Sequence, residues 1–113
     1  MASGFTEELV PTVFKWKQGG EEVYVTGTFN CWKEKIPLQR STKDFTTIQY
    51  LPTGVHQYKF IVDGKWRHAP DQPMAADLDG VLNNCMEVRK VTTNQGASIF
   101  FCVEFLEIFN RFY

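Results

Sequence analysis

The chain has no excess of positive charge: twelve Lys and Arg against thirteen Asp and Glu leave a net charge of −1. Proteins hold nucleic-acid backbones largely by neutralising phosphates with cations, so nucleic acid is not an expected partner. Cysteine is scarce. Cys31, Cys85 and Cys102 are an odd number without CxxC spacing, and neither His56 nor His68 stands near them in the sequence. A structural zinc site takes four such ligands, so no metal or other cofactor is expected, and the thiols read as reduced in a cytoplasmic or nuclear protein. The first ten residues, MASGFTEELV, carry acids where a signal peptide has Lys or Arg and an apolar core, and no Asn-X-Ser/Thr sequon occurs. Export is therefore not expected. No apolar run approaches the roughly 20 residues that cross a bilayer, which removes the membrane as a partner. A chain of 113 residues is also too short for a catalytic barrel of roughly 250. It shows no nucleophile motif, no CxxxxxR loop and no recognisable pair of sugar-flanking carboxylates, so catalysis is not expected. His56 lacks a Ser or Cys partner and reads as structural.

What is present is a core's worth of apolar side chain, 43% hydrophobic and 15% aromatic, enough for one domain. From Pro11 to Val91 the segments are short, rich in Val, Phe, Tyr and Thr, and punctuated by turn residues, the pattern of an antiparallel β-sandwich. Residues 12–16 alternate, with Phe14 and Trp16 on one side and Val13 and Lys15 on the other. Residues 22–28 send Val23 and Val25 one way and Tyr24 and Thr26 the other, then enter the aromatic loop Phe29-Asn30-Cys31-Trp32. Ile36-Pro37-Leu38 suits an edge, since proline cannot donate to a ladder, and residues 45–51 form the next strand.

Asp63-Gly64 marks a type I′ hairpin turn between residues 55–62 and 65–68. Counting outward, Val62 faces Lys65, Ile61 faces Trp66, Phe60 faces Arg67 and Lys59 faces His68. Lys59, Ile61, Trp66 and His68 then share one face, and Tyr58, Phe60 and Val62 form the more apolar, core-facing set. Arg67 falls on the core side, which calls for a bulge or a strand end beside it. Residues 68–80 are polar and turn-prone and read as a long surface loop, after which residues 81–91 resume a strand that starts with Asn83 and Asn84.

Two indoles outside the core, beside a lysine and an asparagine, are the chemistry of sugar recognition: flat rings cover the C–H faces of glucose while polar side chains meet its hydroxyls. Trp16 reads as core; Trp32 and Trp66 read as outward. Lys59 shares the face of Trp66, and Asn83 or Asn84 could complete the set.

The stretches Pro11-Thr12-Val13-Phe14-Lys15-Trp16, Val23-Tyr24-Val25-Thr26-Gly27-Thr28-Phe29-Asn30-Cys31-Trp32, His56-Gln57-Tyr58-Lys59-Phe60-Ile61-Val62-Asp63-Gly64-Lys65-Trp66 and Val81-Leu82-Asn83-Asn84 together resemble the carbohydrate-binding module 48 family, as found in the glycogen-binding domain of AMP-activated protein kinase β subunits. The resemblance implies an immunoglobulin-like early-set β-sandwich over residues 11–91, between an N-terminal arm of residues 1–10 and an apolar extension of residues 92–113. It implies binding without cleavage of α-1,4-glucans such as glycogen, starch, maltooligosaccharides and cyclodextrins. Trp32 and Trp66 would stack on glucose rings, Lys59 would donate to hydroxyls, and Asn83 would bind the neighbouring sugar. Where the family carries a leucine against the sugar and a threonine two residues on, this chain has Asp79 and Val81; a shifted loop would present Leu78 instead. The family also implies a Ser/Thr kinase catalytic subunit and a γ-type regulatory subunit as partners.

Residues 97–113 hold five of the ten phenylalanines and only three charges. Phe101, Phe105, Ile108, Phe109 and Phe112 follow the helical recurrence i, i+3, i+4, i+7, while residues 99–105 could also pair as an edge strand. So much apolar surface should be covered, by this sandwich, by a second copy or by a kinase subunit. Two other function classes compete with glucan binding in a kinase subunit: a protein-interaction domain with a weakened sugar site, and the accessory module of a glucan-processing enzyme.

Overall fold

The computed structural model describes residues 8–92 and 98–102, with side chains described over 8–90. Ten strands follow in order: β1 (Leu9–Trp16), β2 (Val23–Gly27), β3 (Ile36–Pro37), β4 (Gln39–Arg40), β5 (Phe45–Pro52), β6 (Gly54–Val62), β7 (Lys65–Arg67), β8 (Met74–Ala76), β9 (Leu82–Thr92) and β10 (Ser98–Cys102), with one 3₁₀ turn over Thr28–Asn30. They form two antiparallel sheets. One is β1-β5-β4; the other runs β10-β9-β6-β2-β3, with β7 added to β6 and β8 to β9. The all-β sandwich read from the sequence is the observed architecture.

Alternation builds the core. Along β1 every second residue is buried, Val10, Thr12, Phe14 and Trp16, and the intervening ones are exposed. Across the gap Tyr58, Phe60 and Val62 of β6 and Met86 and Val88 of β9 meet them. Phe14 lies edge-on to Tyr58 with ring centroids 5.1 Å apart, and Trp16 is tilted against Phe60 at the same separation. Trp16 also donates its indole N–H to the Gly19 carbonyl at 2.8 Å, which satisfies the one polar group a buried tryptophan brings.

The hairpin has the register expected from its turn: Val62 pairs with Lys65, Ile61 with Trp66 and Phe60 with Arg67. Both turn residues have positive φ, 51° at Asp63 and 84° at Gly64. The Asp63 carboxylate accepts from the amides of Glu22 at 2.9 Å and Glu21 at 3.0 Å, so these bonds, that of Glu22 foremost, hold its carboxyl below the usual carboxylate range. Arg67 meets the strand end its position required: β7 stops there, and the guanidinium leaves the core to lie over the Trp16 ring, 5.5 Å from its centroid. The expected fourth pair, Lys59 with His68, falls beyond the ladder.

The segment 68–80 departs from a plain surface loop. It contains β8, which pairs with β9, and its residues Ala69, Gln72 and Pro73 are buried. The cause is Asn84, which has no exposed surface. Its Oδ1 accepts from the Ala69 amide at 2.7 Å, and its Nδ2 faces the carbonyls of Ala69 at 3.0 Å, Pro73 at 3.3 Å and Gln72 at 3.4 Å. Gln72 in turn donates to the Lys15 carbonyl at 2.7 Å and accepts the Tyr58 hydroxyl. The polar composition of this segment conceals its burial, because backbone groups make most of these bonds.

Of the extension, residues 98–102 form β10, antiparallel to β9 with Ser98 opposite Thr92 and Cys102 opposite Val88. Residues 99–102 of the run that could pair as an edge strand lie in it, while Phe105, Ile108, Phe109 and Phe112 of the helical recurrence lie outside the described residues. Residues 103–113, on which a self-docking, oligomer or kinase contact would rest, lie outside the described residues, as do residues 1–7 of the arm. Cys31 and Cys85 are free thiols, and burial pushes the Cys85 thiol up from its usual pKa.

Candidate functional site

The inner face of the larger sheet is spent on the core, so side chains of opposite parity on β6, β7 and β9 point outward. Gln57 and Lys59 on β6, Trp66 on β7 and Asn83 on β9 are such residues. With Thr28, Trp32, Asp77 and Val81 they line one shallow depression of about 460 Å³.

Trp32 reaches it through a built loop. Gly27 ends β2 where a side chain has no room: a Cβ there would run into the Gln57 carbonyl and, at 2.7 Å, the Phe29 ring. Asn30 is the hub of the loop. Its Oδ1 accepts from the Thr26 hydroxyl at 3.1 Å, the Trp32 amide at 3.1 Å and the Gly27 amide at 3.4 Å, and its Nδ2 donates to the Glu34 carbonyl at 2.9 Å. The Thr28 hydroxyl pins the same segment to β6, accepting from the Gln57 amide at 3.1 Å. Cys31 and Trp32 both take left-handed backbone, φ 57° and 60°. That conformation is uncommon for a bulky residue and occurs where surrounding bonds impose it, often at functional sites.

The result is two indoles side by side. Trp32 and Trp66 have ring centroids 6.5 Å apart and planes inclined by 42°, an angled shelf, and Trp66 is 56% exposed. Ile61, on the same outward face, is nevertheless buried, flanked by its cross-strand partners Trp66 and Tyr24.

Polar groups stand around the shelf. Among the described residues the Lys59 ammonium makes no hydrogen bond or ion pair, so its three N–H groups remain for a ligand. Asn83 directs its amide N–H groups to Gln57 Oε1 at 2.9 Å and Asp77 Oδ2 at 3.5 Å. Asn83 is itself largely buried, at 4% exposure, and its carbonyl oxygen, at the wall of the depression, accepts no bond among the described residues. Asn84, one residue on, faces the other side of the sheet and is structural.

Of the residues singled out in the sequence, Trp32, Lys59, Trp66, Val81 and Asn83 therefore meet at one place. Leu78 and Asp79 do not line it. They occupy the exposed tip of the 77–81 loop, and Leu78 is fully solvated. Gln57, Thr28 and Asp77 line it and were not singled out. Period-2 alternation from Lys59 would have found Gln57.

No group of His, Cys, Asp or Glu among the described residues is arranged to hold a metal ion. Two angled apolar plates beside an available ammonium and an available amide carbonyl form a platform for a flat, hydroxylated ligand with apolar faces.

Residues 10–94 match the family described as the glycogen recognition site of AMP-activated protein kinase. The chain is 48% identical over 85 residues to the AMP-activated protein kinase subunit beta-2 of Rattus norvegicus and to that of Homo sapiens, covering 75% of this chain and 31% of each of those proteins. It is 51% identical over 80 residues to the subunit beta-1 of Sus scrofa, covering 71% of this chain and 65% of that protein. The chain thus spans about a third of the length of the beta-2 relatives.

Proposed function

The chain belongs to the family of the glycogen recognition site of AMP-activated protein kinase, and from that premise we propose that it is a non-catalytic α-1,4-glucan-binding module. Glucose rings lie on Trp32 and Trp66, Lys59 donates to ring hydroxyls, and Asn83 accepts from the neighbouring sugar through its carbonyl oxygen. The single observation that carries this reading is the pairing of the two outward indoles, 6.5 Å apart, beside a lysine with no partner among the described residues. By kinship the parent protein is a regulatory β subunit that joins a Ser/Thr kinase catalytic subunit and a γ-type subunit; the scarce, unpaired cysteines suit a cytoplasmic or nuclear setting.

The strength of binding follows from area. Half-covering two indoles removes about 150 Å² of apolar surface from water, worth about 4 kcal/mol at 25 cal/mol per Å². Hydrogen bonds add about 1 kcal/mol each, and association entropy offsets much of the sum. Dissociation constants between about 1 μM and 1 mM are the outcome. A maltoheptaose titration followed by tryptophan fluorescence tests this: a saturable change in that range is expected, and an emission indifferent to millimolar maltoheptaose would end the reading.

A second reading, protein interaction, is favoured by one observation. The outer face of the smaller sheet exposes Leu9 and Val13 of β1 beside Ile48 and Tyr50 of β5, an apolar strip of the kind that marks interfaces. It lies on the sheet opposite the one that carries Trp66 and Lys59, so the two roles are compatible.

A further inference from the structure

The loop between β8 and β9 is exposed from Leu78 to Leu82 and buries no side chain that would hold its shape. Its shape comes instead from one residue. Asp77 Oδ1 accepts from the amides of Asp79 and Val81, each at 2.9 Å. The Asp77 amide donates to the Val81 carbonyl at 2.9 Å, and its carbonyl accepts from the Gly80 amide at 3.0 Å. Gly80 takes φ 82°, the left-handed turn that closes the circuit. The remaining carboxylate oxygen, Oδ2, faces the Asn83 amide at 3.5 Å. One side chain thus folds the loop, brings Val81 into the wall of the depression and leaves Leu78 in solvent; together with Gln57 Oε1, which takes the same amide at 2.9 Å, it engages the nitrogen of Asn83 so that the carbonyl oxygen is the end left for a ligand.

We propose that Asp77 is the positioning residue of the glucan site, setting affinity by holding the 77–81 loop and the orientation of Asn83. The inference rests on the glucan reading above. A carboxylate suits the task because it is acceptor-only: it takes two loop amides on one oxygen and an amide N–H on the other, and offers no donor to compete with Asn83. Asparagine would keep the loop bonds through its carbonyl oxygen but would set an NH₂ against the Asn83 NH₂. Alanine would release both.

The test compares maltoheptaose binding and thermal unfolding of the full chain with those of Asp77→Ala, Asp77→Asn, Asp79→Ala and Trp66→Ala. The expected results are a loss of about tenfold in affinity for Asp77→Ala, a loss between that and none for Asp77→Asn, and wild-type binding by Asp79→Ala. The unfolding midpoint is expected to stay within a few degrees in all of these, since the loop covers no core. Wild-type affinity in Asp77→Ala, with Trp66→Ala impaired, overturns the positioning role and leaves the glucan reading intact. A loss in Asp77→Ala that tracks a fall in the unfolding midpoint and is not relieved by Asp77→Asn overturns it as well, by reducing Asp77 to a stability residue. An unmodified chain that fails to bind maltoheptaose overturns both.

Discussion

Trp66→Ala is expected to weaken maltoheptaose binding by at least about thirtyfold and to leave the unfolding temperature nearly unchanged. Trp66 stands on β7, a strand of three residues, with more than half its surface in solvent. It contributes little to the core, and surface substitutions away from special features alter stability by no more than about 0.5 kcal/mol. In the proposed glucan site the same residue is half the platform. Losing about 75 Å² of apolar contact costs about 2 kcal/mol, which is about thirtyfold in affinity. The loss exceeds this figure if Trp32, 6.5 Å away, no longer keeps its tilt without its neighbour. Isothermal titration together with a thermal melt decides the matter: unaltered affinity removes the indole from the site, and a collapsed melt makes Trp66 a fold residue.

The second large effect falls on stability and separates two adjacent asparagines. Asn84→Ala is expected to destabilise the domain by about 3–5 kcal/mol, because it strands the Ala69 amide and neighbouring carbonyls that this side chain reaches and leaves a cavity besides; a buried polar group left without its partner costs about 1–3 kcal/mol. Against a total stability of about 5–15 kcal/mol this is a large fraction, and for a domain of this size it lowers the midpoint by well over 10 °C. Asn84→Asp gives no rescue, since a carboxylate would face three carbonyl oxygens. Asn83→Ala, one residue away, is expected to weaken glucan binding and to spare the fold. Urea unfolding of the two variants side by side provides the check. Equal stabilities would contradict the assignment of Asn84 to the fold and Asn83 to the site.

The legible parts of this protein were those in which one local rule determined geometry. Asp63-Gly64 tolerates positive φ at both positions, so the turn fixed the register, the register fixed parity, and parity turned Trp66 outward and Tyr58, Phe60 and Val62 inward. Trp16 was legible as core for the same reason, by sharing parity with Phe14. Where several elements cooperate, the sequence is mute. Asn83-Asn84 has the composition of a turn, and only the continuing alternation of β9, together with a partner backbone 11 to 15 residues distant, reveals that one asparagine faces the site and the other the core. Asp71, Asp77 and Asp79 look alike in a polar loop. The Asx turn Asp77-Leu78-Asp79-Gly80 was the available signal that Asp77 shapes the chain. Asn30 was likewise hidden among the aromatics of its loop, although it, rather than they, holds Trp32 in place. The recurrence Phe101, Phe105, Ile108 suits a helix, whereas residues 98–102 pair with the long strand β9; periodicity in a short apolar run does not separate the two.

Two of the three tryptophans, Trp32 and Trp66, stand together at the proposed sugar platform, while Trp16 is sealed inside. The indole N–H resonances of the ¹⁵N-labelled protein test this arrangement directly, because each tryptophan contributes one. On titration with maltoheptaose, the signals of Trp32 and Trp66 should shift together and saturate at one dissociation constant, while that of Trp16, buried and bonded to the Gly19 carbonyl, should stay in place. Three stationary signals, or a shift confined to Trp16, would contradict the account.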